Sequence, residues 1–149
     1  MHPRALNMPR PGVYALADAH GRVWVAKTEE DVDLRVAQHL SGERKAPFLQ
    51  HDGKGLQELE LLSSSDAYDL EDWLRREVLA RMLKHGMFNV RGWLFADACL
   101  TPLQQEMAFQ QICYRFHLCA LCGRDDHHQA QCSANTRASW AADGQTLRT

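Results

Sequence analysis

The chain has 149 residues, of which 45% are hydrophobic, and its formal net charge is −2 at pH 7. This length and apolar content support one compact domain with an appendage, and the charge excludes a basic field over the whole surface. No apolar run approaches the roughly 18 residues of a membrane span, and residues 1–10 are polar and lack the apolar core of a signal peptide. We therefore expect a soluble, intracellular, cytoplasmic protein with no membrane partner.

The first predicted elements are two strands and a helix. Two runs rich in β-forming residues, 13–17 and 22–26, flank a turn sequence at 18–21, which predicts a β-hairpin. Thr28 is the predicted N-cap of the helix that follows, with three acidic residues in its first turn. The helical repeat that defines its apolar face and the glycine that ends it are Val32, Val36, Leu40 and Gly42.

A loop over residues 43–55 then leads into a second strand–helix pair. The loop contains Arg44, Lys45 and Lys54, which form either a solvated rim or a track of phosphate contacts. The alternation at 56–62 predicts a third strand, and Ser65 can cap a long helix that ends near His85, before Gly86. The apolar face of this helix comprises Ala67, Leu70, Trp73, Leu74, Val78 and Met82.

The C-terminal third begins with a turn at 89–92 and a further helix. Thr101, Pro102 and Gln104 form a capping box with proline at the first helical position. Leu103, Met107 and Phe116 are expected to dock this helix, and Cys99, Cys113, Trp73 and Trp93 are expected in the core. The order β-β-α-β-α predicts an α+β fold with a mainly antiparallel three-stranded sheet. The predicted divisions are a flexible N-terminus at 1–10, a core domain at 11–95, a linking helix at 101–117, a metal-binding segment at 119–132 and a polar tail at 133–149.

The metal-binding segment has the spacing Cys119-x2-Cys122-x4-His127-x4-Cys132. Three thiolates and one imidazole in so short a span can close a tetrahedral shell around one Zn²⁺; the alternative is three unrelated free cysteines. His128 is an alternative nitrogen ligand, although the spacing favours His127. An odd number of cysteines with metal-type spacing also indicates a reducing compartment.

This segment resembles the zinc knuckle of retroviral nucleocapsid-type proteins, including Gly123 after the second cysteine. It departs from knuckles that bind nucleic acid, because Ala120 stands where they usually have an aromatic residue and Asp126 where they usually have glycine. The acidic pair Asp125 and Asp126 also repels phosphate. The segment is therefore as readily a structural clip or a contact for a protein partner as a nucleic-acid reader.

The core domain resembles the GIY-YIG nuclease family over roughly residues 11–93. The first tripeptide of that family matches Gly12-Val13-Tyr14, the second matches Trp24-Val25-Ala26, and Arg35 and His39 share one face of the following helix. The run 84–92 resembles a subset of the family whose members include some with a C-terminal zinc knuckle. The resemblance implies a small β-β-α-β-α domain that cleaves DNA, with RNA as an alternative substrate.

The resemblance also implies roles for single residues. Tyr14, Trp24, Lys27, Arg35, His39 and Asn89 match positions that surround one divalent cation, Mg²⁺ or Mn²⁺, held by a glutamate. In the family, a tyrosine or a water molecule on the metal starts the attack on phosphorus, and the arginine neutralises the developing charge. The metal glutamate is either Glu77, twelve residues before Asn89, or Glu71, eighteen before it, and spacing slightly favours Glu77. Glu77 could instead form an i,i+4 ion pair with Arg81.

Two departures weaken the match at the second tripeptide. Trp24 replaces a tyrosine and lacks its hydroxyl, and Ala26 replaces a glycine. We therefore expect a metal-dependent endonuclease of reduced activity, with Trp24 as a packing wall or a base platform. The alternatives are a catalytically inactive nucleic-acid-binding module and a protein-interaction module on the same fold.

Overall fold

The computed structural model describes residues 9–49, 56–63 and 69–141. The chain divides into two compact units, Met1–Leu74 and Arg75–Thr149. Within the described residues, no helix has both the length and the apolar character needed to cross a membrane. The helices and strands, in chain order, are β1 (Gly12–Ala17), β2 (Val23–Thr28), α1 (Val32–Leu40), β3 (Gln57–Ser63), α2 (Leu70–His85), β4 (Val90–Arg91) and α3 (Pro102–Phe116).

The first unit contains an antiparallel sheet in which β1 lies between β2 and β3. The predicted hairpin is confirmed: the Gly21 amide donates to the Asp18 carbonyl oxygen at 3.2 Å, and Gly21 has the positive φ of 80° that this turn requires. In the β1–β2 register, Tyr14 faces Ala26 and Leu16 faces Trp24. The α+β class is confirmed, and both strand pairings of this sheet are antiparallel.

Helix α1 begins three residues later than predicted. Thr28 is the last residue of β2, and its side-chain oxygen accepts from the Glu30 amide at 3.1 Å. Asp31 is the N-cap instead, because its carboxylate accepts from the Leu34 amide at 3.0 Å. The predicted apolar face is wrong at Leu40, which is 43% exposed, whereas His39 is buried with Val32 and Val36. A polar residue therefore occupies part of the buried face of α1.

The core of the first unit forms on one face of the sheet. Alternate residues of β1, Tyr14 and Leu16, point to this face, as the two-residue period of a strand requires. The buried cluster comprises Tyr14, Leu16, Val32, Val36, Ala46, Phe48 and Leu49. Trp24, Ala26 and Leu56 are partly buried against it. The 43–49 part of the predicted polar loop therefore contributes three core residues.

Helix α2 ends as predicted before Gly86, whose φ is 98°. Leu70, Leu74, Val78 and Met82 of its predicted apolar face are buried, and Trp73 is half-buried. Ser65 and Ala67 lie outside the described residues. The segment predicted as a turn at 89–92 is instead the end of a 3₁₀ helix, Met87–Asn89, followed by β4 and Gly92.

Helix α3 has the predicted capping box: Thr101 Oγ1 accepts from the Gln104 amide, and Gln104 Oε1 accepts from the Thr101 amide. The predicted docking face is wrong, because Leu103 is 70% exposed and Met107 is 37% exposed. The buried face consists of Ala108, Phe109, Ile112 and Cys113. Cys113 is buried as predicted, whereas Cys99 is exposed and Trp93 is half-buried.

Candidate functional site

The first candidate site centres on a buried polar pair in the first unit, Tyr14 on β1 and His39 on α1. The Tyr14 hydroxyl lies 3.0 Å from His39 Nε2, and the ring centroids are 5.5 Å apart. Both residues are 2% exposed. Because a buried hydroxyl must be paired, this hydrogen bond satisfies Tyr14 and fixes the orientation of its ring.

Three residues around Tyr14, namely Trp24, Arg35 and Arg44, counteract the effect of burial on the pKa of its hydroxyl. Burial is the largest influence and raises the pKa of Tyr14 above its ordinary value of 10. The positive charges of Arg35 and Arg44 lower that pKa, as do hydrogen bonds from the side chains of Trp24 and Arg35. The phenol oxygen therefore lies beside the indole and the guanidinium, and its hydrogen bond with His39 Nε2 gives its proton an acceptor in the tautomer that leaves this nitrogen unprotonated. This arrangement favours the phenolate form more than burial alone would allow.

Two cations of the predicted site, Arg35 and Lys27, also contact acidic side chains near solvent. Arg35 Nη2 lies 3.3 Å from Glu30 Oε2, and the Arg35 side chain is 17% exposed. Lys27 Nζ lies 3.4 Å from Glu71 Oε2 and 3.7 Å from Glu29 Oε1. Because both acidic partners of Lys27 are largely exposed, these ion pairs are weak and can exchange for a phosphate oxygen.

The loop cations form no buried group. Arg44 and Lys45 are exposed, and Lys54 lies outside the described residues. Arg44 nevertheless contributes to the electrostatics of Tyr14, as described above. The loop therefore supplies at least one charge to the Tyr14 site.

Two of the predicted site residues, Glu77 and Asn89, lie in the second unit. Glu77 Oε2 is 3.5 Å from Arg81 Nε, which is the i,i+4 ion pair anticipated as the alternative role of Glu77. Asn89 is exposed, and its side-chain amide donates to the His85 carbonyl oxygen at 2.9 Å. Each of these contacts links neighbours in sequence. They leave open which glutamate would take a catalytic metal.

A divalent catalytic ion would find one carboxylate at either glutamate. Among the described residues, no second group of three His, Cys, Asp or Glu side chains converges in addition to the cysteine–histidine cluster described next. A single carboxylate fits Mg²⁺ only where waters and substrate phosphate oxygens complete an octahedral shell.

The second candidate site is the cluster formed by Cys119, Cys122, His127 and Cys132. One ligand atom from each of the four residues lies within 4.8 Å of the other three. Tetrahedral Zn–S bonds of about 2.3 Å place sulfurs inside that range. The predicted ligand set is therefore brought together and can hold a metal such as zinc. His128, the alternative ligand, is exposed and is not part of the cluster.

The cluster lowers the pKa of one thiol, Cys119, whereas the pKa of Cys132 is raised by burial and the neighbouring thiols and that of His127 is raised by the Asp126 carboxylate. Burial opposes ionisation of Cys119, but hydrogen bonds from the backbone amides of Cys122 and Leu121, together with neighbouring thiols, outweigh it and lower the pKa of Cys119 to about 6. His127 Nδ1 lies 2.5 Å from Asp126 Oδ1, and Nε2 lies 3.4 Å from Cys122 Sγ. Asp126 therefore orients the ring with Nε2 toward the sulfurs, as second-shell carboxylates do at zinc sites.

A segment beyond the last cysteine, 134–141, supports the cluster and was missed by the sequence analysis. The Ala138 amide donates to the Cys122 carbonyl oxygen at 2.6 Å, and Trp140 Nε1 donates to the Gly123 carbonyl oxygen at 2.9 Å. The Trp140 ring stacks on Phe109 of α3, and the Arg137 guanidinium lies 3.7 Å from the centroid of the Phe109 ring. A single aromatic in the polar stretch 133–149 was the available indication of this packing.

Comparisons with models of protein families, with curated protein sequences and with solved structures find no match to this chain. The functional argument therefore depends on the geometry of the two sites.

Proposed function

We propose that the protein is a metal-dependent endonuclease that hydrolyses nucleic-acid phosphodiester bonds, with DNA as the expected substrate. The observation that carries the proposal is the hydrogen bond between the Tyr14 hydroxyl and His39 Nε2, at 3.0 Å, beside Arg35. A tyrosine whose proton has a histidine acceptor, and whose oxygen faces a guanidinium, suits activation of water next to a phosphate. The motif resemblance supports the same assignment.

The reaction requires side chains that remove a proton from the attacking water and cations that bind the phosphate oxygens. His39 Nε2 accepts the Tyr14 proton, and the phenolate then accepts a proton from the attacking water. The water oxygen bonds to phosphorus, and the bond from phosphorus to the leaving sugar oxygen breaks. That oxygen takes up a proton from solvent, and His39 releases to solvent the proton that it accepted from Tyr14, which restores both side chains. Arg35 can bind two non-bridging oxygens with its guanidinium fork, and Lys27 can bind a neighbouring phosphate.

Mg²⁺ or Mn²⁺ at a glutamate would add positive charge at the phosphoryl oxygens. The motif resemblance offers Glu77 and Glu71 as ligands. Each is already in an ion pair, Glu77 with Arg81 and Glu71 with Lys27, and the sequence spacing to Asn89 slightly favours Glu77. We further propose that the Cys₃His cluster binds Zn²⁺ as a structural clip, since thiolates select zinc over Mg²⁺.

Binding of nucleic acid without cleavage is the second candidate function. It is favoured by the burial of Tyr14, whose 2% exposure leaves its oxygen little contact with solvent. It is also favoured by Trp24, which cannot supply the hydroxyl of the second tripeptide. The two candidates share a substrate and differ only in turnover.

Nicking of a supercoiled plasmid with Mg²⁺ or Mn²⁺ separates the candidates. Wild type should nick, whereas Tyr14→Phe, His39→Gln and Arg35→Ala should each lose about 10²-fold or more in rate while keeping the fold. Arg76→Ala, which removes an exposed arginine from α2, is the matched control for Arg35→Ala. Glu77→Gln should lose nicking in Mg²⁺ and Mn²⁺ if Glu77 holds the metal, and Glu71→Gln should lose it if Glu71 does. Unchanged rates in Tyr14→Phe and Arg35→Ala would refute the assignment.

A further inference from the structure

A cleft of about 570 Å³ lies in the second unit, between α2 and the C-terminal end of α3. Helix α2 contributes Arg75, and the last turns of α3 contribute Gln111, Tyr114 and Arg115, with His117 following as the C-cap. Neither the predicted catalytic residues nor the metal cluster includes any of these side chains. The cleft is therefore a candidate site of its own.

The chemistry of the lining favours an anionic ligand with aromatic rings. Among the described residues that line the cleft, two are arginines, one is a histidine, and none has a carboxylate. Tyr114 is 88% exposed, an unusual state for a tyrosine on a packed helix. Residues 111, 114 and 115 are related by i,i+3 and i,i+4 spacing, so they share one face of α3.

We infer that this cleft binds single-stranded nucleic acid, with a base stacked on Tyr114 and phosphates held by Arg75 and Arg115. Sites for single strands combine cationic contacts to the phosphate backbone with aromatic side chains on which bases stack. Here the aromatic Tyr114 and the cation Arg115 lie within one turn of α3, and α2 adds the cation Arg75. The Gln111 amide can contact a base edge. The inference rests on the proposed function, because it takes the substrate of the enzyme to be a nucleic acid and names unpaired strands as the form it holds.

The apolar side chains of Leu103 and Met107 on α3 mark the boundary of this surface. Both are exposed, and neither lines the cleft. They line an adjoining depression that shares Gln110 and Gln111 with the cleft and contains Glu106, whose carboxylate is paired with Arg137. The arginines of the cleft lie at the Tyr114 end of this face, and the inference is confined to that end.

The test is fluorescence anisotropy with a labelled single-stranded DNA oligonucleotide, using zinc-loaded protein without Mg²⁺ or Mn²⁺. Tyr114→Ala should weaken binding between about fivefold and 150-fold, whereas Tyr114→Phe should keep wild-type affinity because the ring remains. Arg75→Ala and Arg115→Ala should each reduce the slope of log K against log salt by about 0.7. Lys84→Ala, which removes an exposed cation of α2 outside the cleft, should not change the slope by as much. A duplex of the same sequence should bind independently of Tyr114.

Unchanged affinity in Tyr114→Ala, or equal losses in Arg75→Ala and Lys84→Ala, would overturn the inference. Unchanged DNA affinity combined with loss of self-association in Tyr114→Ala would also overturn it, by assigning the cleft to a protein contact. Circular dichroism and zinc content of each variant identify any loss caused by unfolding, and Tyr114→Leu provides a folded apolar substitute if Tyr114→Ala is unstable. If wild type binds through the cleft but never cleaves, the endonuclease proposal is refuted and the cleft inference stands. If wild type cleaves and the cleft variants bind normally, the cleft inference is refuted and the endonuclease proposal stands.

Discussion

The indole of Trp140 lies stacked on the ring of Phe109, with centroids 5.5 Å apart and an interplanar angle of 16°. Phe109 belongs to the buried face of α3, and the Trp140 backbone carbonyl accepts from the Met87 amide at 2.6 Å. The Trp140 side chain also contacts Gly123, directly after the second cysteine of the metal cluster. The cluster is therefore built into the second unit by residues on both sides of it in sequence.

Replacing Gly123 with alanine should destabilise the second unit. An added Cβ would lie 2.7 Å from Trp140 Cζ2 and 3.2 Å from Phe109 Cε2, and the φ of 81° adds strain. Gly42→Ala is the matched control, since Gly42 has a φ of 83° but nothing within 4 Å of the added atom. The left-handed conformation costs about 1–2 kcal/mol in both variants, and overpacking adds about 1–3 kcal/mol only in Gly123→Ala. Thermal unfolding should show the larger loss for Gly123→Ala; equal losses would exclude the steric contribution.

Removing the metal should release Trp140 along with the cysteine segment. Because a metal site this small has little apolar core, its binding energy is also its folding energy. The contacts from 138–140 to Cys122 and Gly123 would lose their partner. Chelation should therefore shift tryptophan emission to longer wavelength, and the shift should be absent in Trp140→Phe. The same shift in both proteins would assign it to another tryptophan.

Asp126→Asn should weaken zinc binding without abolishing it. Asp126 fixes the ring of His127, and loss of such an outer carboxylate typically costs about 10–100-fold in metal affinity. Cys122→Ser should lose most of the zinc, whereas His128→Ala should retain it, because His128 is exposed and outside the cluster. Competition with a chromophoric chelator measures these affinities. A full loss of zinc in His128→Ala would reverse the ligand assignment.

The parts of the fold that were predictable depend on short-range rules. The spacing of the cysteines, the capping box at Thr101 and the turn before Gly21 each involve residues close in sequence. The choice of the buried face of α3, in contrast, depends on residues that are distant in sequence. Apolar residues occupy two faces of that helix, and packing with the distant Trp140 and Arg137 selects the face that includes Phe109. Periodicity alone cannot make this selection.

At the Tyr14 site, too, some features follow from local sequence and others depend on tertiary contacts. The spacing of Arg35 and His39 predicts one helix face, but burial of His39 in place of Leu40 depends on the hydrogen bond to Tyr14 across the strand–helix contact. Thr28 and Asp31 were both competent caps, and the register of β2 with β1 decided between them, because pairing with Gly12 keeps Thr28 in the strand. Tertiary contacts therefore determined what local sequence left open.

Stability should fall at alkaline pH because of Tyr14. Burial raises its pKa above 10, so the folded state holds the proton more tightly than the unfolded state. That contribution to stability is complete below pH 10 and is lost as pH rises through the higher pKa of the folded state. Urea unfolding at about pH 9 and about pH 11 should show a smaller loss for Tyr14→Phe than for wild type. Tyr114→Phe, which alters an exposed tyrosine, should match wild type; the same loss in Tyr14→Phe and wild type would contradict the assignment.

Under the proposed endonuclease function, two substitutions at Trp24 should change the rate of cleavage in opposite directions. The Trp24 N–H lowers the pKa of Tyr14 and the ring packs against the core, but the side chain offers no acceptor. Trp24→Phe removes the donor and should slow nicking, since the phenolate loses one stabilising contact. Trp24→Tyr supplies a hydroxyl that both donates and accepts, and should raise the rate, because loss of a general base typically costs about 10²–10⁴-fold. Ala26→Gly in the same protein removes the methyl group directly opposite Tyr14 in the strand register and should add to the gain. Nicking at saturating Mg²⁺ or Mn²⁺ measures both effects.

If Trp24→Tyr is no faster than wild type, the missing hydroxyl does not limit the rate of cleavage. If both proteins shift a DNA band yet leave the plasmid intact, binding without cleavage becomes the function of the Tyr14 site.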